Sequence, residues 1–276
     1  MEKYTLISVS GAIILLLAVI SHVSAISVSE ELQLTPEQRM MLDKFKAMVS
    51  SKLEQDYMKD DIYLLRWLRA KDYDVKEADK LLNENLRWRK EKNMDTIHQE
   101  DWSDMTKDYP YHIGGFDKEN RPLGTVSIRD WDIRKTALQG KLPRLQRYMD
   151  KLMDEISMKV VRLRSEGMNV TRWVLLTNVE GFNVVQHACS SCTPLWVNFL
   201  RSYEMHFPGT ADSIIAINAP ETFNLLLRLL KPSIPAASRE TVKILGTNKK
   251  AWMANLDEII SRDQRTKEYG GTKEYS

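Results

Sequence analysis

The chain has 276 residues, 43% hydrophobic and 28% charged, and 40 Lys and Arg against 38 Asp and Glu leave a net charge of +2. That balance belongs to a folded globular protein rather than a disordered or membrane-embedded one, and near-neutrality gives no reason to expect a nucleic-acid partner. Two cysteines exclude a disulfide-stapled scaffold and a four-cysteine zinc site.

In chain order, residues 1–25 read as a secretory signal peptide. Lys3 stands in a short polar start, Ala12 to Ile20 (AIILLLAVI) is an unbroken apolar run, and Val23-Ser24-Ala25 suits a signal peptidase. The run is shorter than the roughly 20 residues a bilayer span needs. Cleavage after Ala25 is expected, giving a secreted or secretory-lumen protein that begins at Ile26. A signal anchor is the alternative, and an unused segment would leave the protein cytoplasmic.

From residue 35 to about 92 the pattern is helical. Thr35-Pro36-Glu37-Gln38 carries a capping hydroxyl, a first-turn proline and a capping-box Gln. Leu42, Phe45, Val49 and Leu53 follow at helical spacing. Asp60-Asp61 opens a second helix with Ile62, Leu65 and Leu68, and Asp74 caps a third with Val75, Ala78, Leu82 and Leu86. Three short amphipathic helices must pack together or onto a neighbour.

After residue 110 the period changes. Gly114-Gly115 and Asp117 to Asn120 read as turns. Strands are expected at Leu123–Asp130, Arg172–Val179, Ser213–Asn218 and Thr241–Leu245. Helices are expected at Pro143–Glu166, Pro194–His206 and Glu221–Leu230. Strands alternating with helices of this length predict an α/β fold with a mixed, largely parallel sheet flanked by helices.

No GxSxG elbow, phosphate-binding glycine loop, HExxH or GxGxxG occurs, and the five histidines have no ligand-like spacing. No enzyme, metal or cofactor is expected. Cys189-Ser190-Ser191-Cys192 has the right number of thiols for one disulfide, and its place between strand and helix also allows a CxxC redox reading. Asn169-Val170-Thr171 is a glycosylation sequon, with Asn169 as acceptor.

Ala219 to Ser233 (APETFNLLLRLLKPS) is the most informative segment. Phe223, Leu226, Leu227 and Leu230 share one helical face, and Leu225 and Leu229 occupy the other. A short helix apolar nearly all round must be covered on two sides. It is either core between two layers, or a lid facing an apolar cavity within and a membrane without, hinged at Lys231-Pro232.

The residues Leu64-Leu65-Arg66-Trp67-Leu68-Arg69-Ala70, Tyr73-Asp74-Val75 and Trp88-Arg89 come first in a series of short motifs. Asp117…Arg121-Pro122, Glu180-Gly181, Phe207-Pro208, Ile217-Asn218-Ala219-Pro220, Lys231-Pro232, Ile244-Leu245-Gly246 and Tyr269-Gly270-Gly271-Thr272 follow in order. With these the chain resembles the CRAL-TRIO lipid-binding and lipid-transfer family, and most of all its animal supernatant-protein-factor, or tocopherol-associated, branch. That branch continues into a C-terminal β domain, which this sequence is not expected to carry.

The resemblance implies a helical subdomain over 30–95 and a lipid-binding domain over 105–274. The latter would hold a hydrophobic pocket closed by the 221–230 helix. Leu176, Trp196, Leu200, Tyr203, Ile215, Ile217, Phe223, Leu226, Leu227 and Leu230 are the candidate ligand-binding residues. The implied partners are a hydrophobic lipid (a tocopherol, retinoid, sterol precursor or phospholipid) and, transiently, a membrane surface that Lys231 would help to engage. The expected activity is lipid binding and transfer, with a lipid-sensing module or a CxxC oxidoreductase as alternatives. Relatives that bind phosphoinositide carry an acid and a lysine where Gly209 and Thr241 stand here, so a neutral or weakly polar head group is expected. Asn120 replaces the usual turn glycine, which a left-handed asparagine tolerates.

Overall fold

The protein is described by a computed structural model over residues 28–233 and 236–274. The signal peptide expected at 1–25 lies outside the described residues. The short helix α1 (Val28–Glu31) leads to α2 (Pro36–Val49), α3 (Asp61–Arg69) and α4 (Val75–Glu91). Their starts follow from local chemistry. Thr35 and Gln38 form a complete capping box on α2, Asp60 accepts from the Ile62 amide of α3, and Asp74 accepts from the Lys76 and Glu77 amides of α4. The three helices bury Leu42, Phe45, Val49, Leu65, Leu68, Ala78 and Leu82 in a core of their own.

This subdomain is tied to the rest of the chain by polar groups. After the short α5 (Ser103–Thr106) come the strands β1 (Tyr111–Phe116) and β2 (Pro122–Ser127), then α6 (Ile133–Leu138) and the long α7 (Leu142–Ser165). On α7, Asp154 accepts from Arg89 Nη1 at 2.7 Å and stands 2.9 Å from His98 Nε2. Burial alone pushes the Asp154 carboxyl up. Hydrogen bonds from His98 and Arg89 outweigh that and hold it below its ordinary value. Trp88 stacks on His206 at 3.8 Å, and burial pushes the His206 imidazole down to about 4.

The remaining elements are β3 (Trp173–Asn178), α8 (Val184–His187), α9 (Thr193–His206), β4 (Ala211–Ala219), α10 (Glu221–Leu230), α11 (Ala236–Thr241), β5 (Val242–Gly246) and α12 (Lys249–Ile259). The sheet order is β1-β2-β3-β4-β5, antiparallel between β1 and β2 and parallel elsewhere. Parallel strands adjacent in sequence order, joined by crossovers of one hand, send their connecting helices to the same face. Here α7, α9 and α10 cover that face. The other face is closed by α12 and the C-terminal segment, where Trp252, Leu256, Ile260 and Tyr269 pack on Leu123, Val174, Leu176, Ile215 and Ile217.

Two sequence expectations are corrected. Gly114-Gly115 lies within an edge strand, not a turn. The glycines accompany a register shift between Ile113 and Phe116, with Gly115 at φ +92°. The strand expected to run from Leu123 to Asp130 ends at Ser127, and Ile128–Asp130 is a 3-10 turn. Asn120 adopts φ +61°, as its position in the turn requires. Several family-like motifs prove architectural. Arg121 Nε donates to Asp117 Oδ2 at 2.6 Å. Trp252 Nε1 donates to Asn218 Oδ1 at 2.8 Å, fastening α12 to the sheet. A Cβ on Gly271 would collide with the Arg265 and Arg262 carbonyls.

Candidate functional site

Between the sheet and the helices α7, α9 and α10 lies a cavity of about 150 Å³. Its floor is Val126 of β2, Leu175 and Thr177 of β3, Ile214 and Ala216 of β4, and Val242 and Ile244 of β5. Met149 and Leu152 of α7 and Trp196, Phe199 and Leu200 of α9 form the walls. Phe223, Leu226, Leu227 and Leu230 of α10 close it. An apolar chamber of this size stays dry and accepts apolar guests. The polar groups on its lining residues are few. The Thr177 hydroxyl is one, and the buried Trp131 indole N–H has no hydrogen-bond partner. The Trp196 N–H is satisfied by the His187 carbonyl at 2.6 Å.

The cover is apolar on two sides. Phe223, Leu226 and Leu230 are buried, while Leu225 and Leu229 on the opposite face are 48% and 74% exposed. At its N-terminal end the Phe223 ring meets Phe182 edge-on at 5.2 Å, and Thr222 Oγ1 donates to the Phe182 carbonyl at 3.2 Å. The chain then enters α8, whose Val184 and Val185 are exposed, and α8 packs on α6, whose Leu138 is exposed. α8 and α6 thus follow from the N-terminal end of the cover, and both carry exposed apolar side chains.

Cys189 and Cys192 are joined in a disulfide, with Cys192 fully buried in the main core. The pair stands at the start of α9, one turn before Trp196, and neither cysteine lines the chamber. Behind that wall, burial pushes the Asp150 carboxyl up to about 6, although Ser202 Oγ donates to it at 2.7 Å and Gln146 Nε2 at 3.1 Å. Among the described residues no three His, Cys, Asp or Glu side chains gather as a metal site. No described helix is long and apolar enough to cross a membrane.

Of the candidate ligand-binding residues, Trp196, Leu200, Phe223, Leu226, Leu227 and Leu230 meet around the chamber. Leu176, Ile215 and Ile217 do not. They face the other side of the sheet, against α12. Tyr203 is also absent from the lining. It is buried beyond Leu200, edge-on to Trp173 at 6.2 Å, with its hydroxyl accepting from the Ala211 amide at 3.3 Å. The strand error is one of parity. Side chains alternate across a sheet, so a choice one residue out moves every member to the wrong face. The residues missed were Leu175, Thr177, Ile214 and Ala216, together with Val126, Ile128, Trp131, Met149, Leu152, Val179, Phe199 and the β5 pair. A usable signal lay in Val242-Lys243-Ile244, where the exposed Lys243 marks the outer face. Register carries that parity inward, with Val242 opposite Ile214 and Ile244 opposite Ala216.

A mostly parallel sheet with a dry chamber under an amphipathic cover is the frame of a protein that holds apolar molecules. A family model described as CRAL/TRIO domain matches residues 106–271, and the chain belongs to that family. The fold binds hydrophobic lipids in general, and its members are generally lipid-transfer proteins rather than enzymes. Among curated relatives, "Protein real-time" of Aedes aegypti is 25% identical over 224 residues, which are 78% of this chain and 33% of that protein. This chain thus spans about a third of that relative's length. Among solved structures, Sfh5 superposes with a TM-score of 0.69 at 16% identity, over 88% of this chain and 89% of that one, and shares the fold.

Proposed function

We propose that the protein takes a hydrophobic lipid from one membrane, holds its chain in the apolar chamber and releases it to another, with α10 as the gate. The observation that carries this reading is the two-sided apolar character of α10, whose inner face closes the chamber and whose outer face is exposed. Burial of a chain yields about 0.8 kcal/mol per methylene relative to water. The bilayer gives the chain a similar environment, so exchange is near balance and reversible. The chamber of about 150 Å³ is the size that admits a benzene ring, so a long chain requires α10 to swing outward about Lys231-Pro232. Leu225 and Leu229, with Val184, Val185 and Leu138, supply the apolar contact that enters the membrane surface. The site of action is the secretory lumen or the extracellular space. The apolar run at the N-terminus, the exposed acceptor Asn169 and the Cys189–Cys192 disulfide support that route.

The test pairs equilibrium lipid loading with vesicle-to-vesicle transfer for Leu227→Lys and Leu229→Lys. Leu227→Lys puts a charge against the bound chain and should abolish loading. Leu229→Lys should load normally and transfer slowly. Unfolding of both variants, seen as lost near-UV dichroism, would make α10 ordinary core. Loading without transfer by the unmodified protein would make it a lipid sensor instead.

A further inference from the structure

One donor in the chamber lining has no acceptor among the described residues. Trp131 follows β2 through the Ile128–Asp130 turn and lines the chamber, 2% exposed, and its Nε1–H makes no hydrogen bond. Its aromatic neighbour cannot accept from it. Tyr109 meets the Trp131 ring edge-on at 5.3 Å, but its hydroxyl donates to the Asp132 carbonyl at 3.0 Å and pairs with Thr136. Trp196, in the same lining, differs in that its N–H is taken by the His187 carbonyl. Buried donors without acceptors are rare in native proteins, because nothing offsets the loss of their hydration. The other polar side chain of the lining is Thr177, opposite Val126 and Ala216 in the sheet register. Ile128 and Val179, also in the lining, stand just beyond the carboxyl ends of β2 and β3. Thr177 and Trp131 therefore belong to the end of the chamber at the carboxyl ends of these strands. Two residues back along β3 the floor is apolar, with Leu175, Ile214 and Val242 in one row across the sheet. There Val242 and Leu227 also border a groove on the outer surface.

We infer that Trp131 Nε1 donates a hydrogen bond to an uncharged oxygen of the cargo, which lies oxygen end inward with its chain trailing toward Leu227 and Val242. This rests on the carrier reading and adds to it a residue that selects the cargo and a direction in which the cargo lies. An indole N–H donates and never accepts, so its partner is an acceptor atom. No charged side chain lines the chamber, so a carboxylate or phosphate would exchange its whole hydration shell for one neutral donor. A bare hydrocarbon leaves the N–H unsatisfied. A hydroxyl, ether or carbonyl oxygen avoids both costs, and a hydroxyl can also donate to Thr177 Oγ1. A chamber of about 150 Å³ holds the oxygen-bearing end of such a molecule, and the rest lies beneath a displaced α10.

The experiment uses delipidated full-length protein incubated with phosphatidylcholine vesicles that carry hexadecane, 1-hexadecanol and hexadecyl phosphate in equal amounts. The re-isolated protein is analysed for bound probe by mass spectrometry. The expected result is 1-hexadecanol enriched about tenfold over hexadecane, the difference one buried hydrogen bond makes, with hexadecyl phosphate not enriched. Trp131→Phe keeps an aromatic ring in the wall and removes the donor, so the ratio of alcohol to alkane should fall to about one while hexadecane still loads. Trp196→Phe removes an indole whose N–H is already satisfied, and should leave that ratio unchanged. Nitrogen-15 labelling of the tryptophans gives a readout on the unmodified protein. The Trp131 Nε1 proton should move downfield on loading with 1-hexadecanol alone and not with hexadecane alone. Equal loading of alcohol and alkane overturns the Trp131 seat while leaving the carrier reading standing. So does a preference for hexadecyl phosphate, a preference for alcohol that survives Trp131→Phe or is lost equally in Trp196→Phe, or an indole proton that does not respond. Failure of the unmodified protein to load any of the probes or phosphatidylcholine overturns the carrier reading itself.

Discussion

Ala216→Leu tests whether the chamber is the ligand site without introducing a charge. Ala216 is 4% exposed and faces the chamber from β4, between Thr177 and Ile244 in the sheet register. Unfilled space costs about 24 cal/mol per Å³, so a chamber of about 150 Å³ burdens the lipid-free protein by roughly 4 kcal/mol. Leucine adds three carbons, worth about 2.4 kcal/mol of burial at most. Fixing its rotamer returns about 0.5–1 kcal/mol. The lipid-free variant should therefore be about 1.5–2 kcal/mol more stable, which for a chain of this size raises Tm by about 3–4 °C. Loading should fall, because the leucine occupies the space of the chain. Calorimetry on delipidated protein and a loading assay on the same preparation measure both effects. A lower Tm would show that the space is not there to fill, and undiminished loading would show that the lipid binds elsewhere. Either result refutes the reasoning.

Asp150→Asn should stabilise the protein at pH 7.5 and change little at pH 4. The native carboxyl titrates at about 6 against an ordinary 3.8, so the folded state keeps a proton that the unfolded state loses as pH rises through that window. The wild type thus loses up to about 3 kcal/mol between those pH values that the variant retains. Denaturant melts of both proteins at the two pH values would show no widening gap if the reasoning fails. Arg89→Met leaves the buried Asp154 with only His98 opposite, and should cost about 3–5 kcal/mol in urea unfolding. A loss under 1 kcal/mol would mean the pair does not hold the helical subdomain in place. Replacing both Cys189 and Cys192 by serine opens a bridge of sequence separation 3, worth about 2 kcal/mol on loop entropy. Thermal stability should drop accordingly while lipid loading persists, and collapsed loading would place the disulfide in the binding machinery.

The N-terminal helices were legible because their signals are local. Thr35, Asp60 and Asp74 each cap a helix within three residues of themselves, and the buried positions repeat at the helical period. The same locality made α10 readable to the residue, from Glu221 to Leu230, with Leu225 and Leu229 correctly separated from the buried face. β1 was hidden because Gly114-Gly115 is turn chemistry in isolation, and only pairing with β2 draws it into a strand.

By itself the amino-acid order determined the α/β class, the succession of strands and crossover helices, and the two-faced cover at 221–230. Each follows from period, capping or turn residues within a short window. The faces of β3 and β4 were decided only by tertiary structure. Leu175 and Leu176, like Ile214 and Ile215, are equally apolar, so no local alternation marks the chamber side. That side is fixed by which layer covers it: α12 takes Leu176, Ile215 and Ile217, and α7, α9 and α10 leave Leu175, Thr177, Ile214 and Ala216 around an unfilled space.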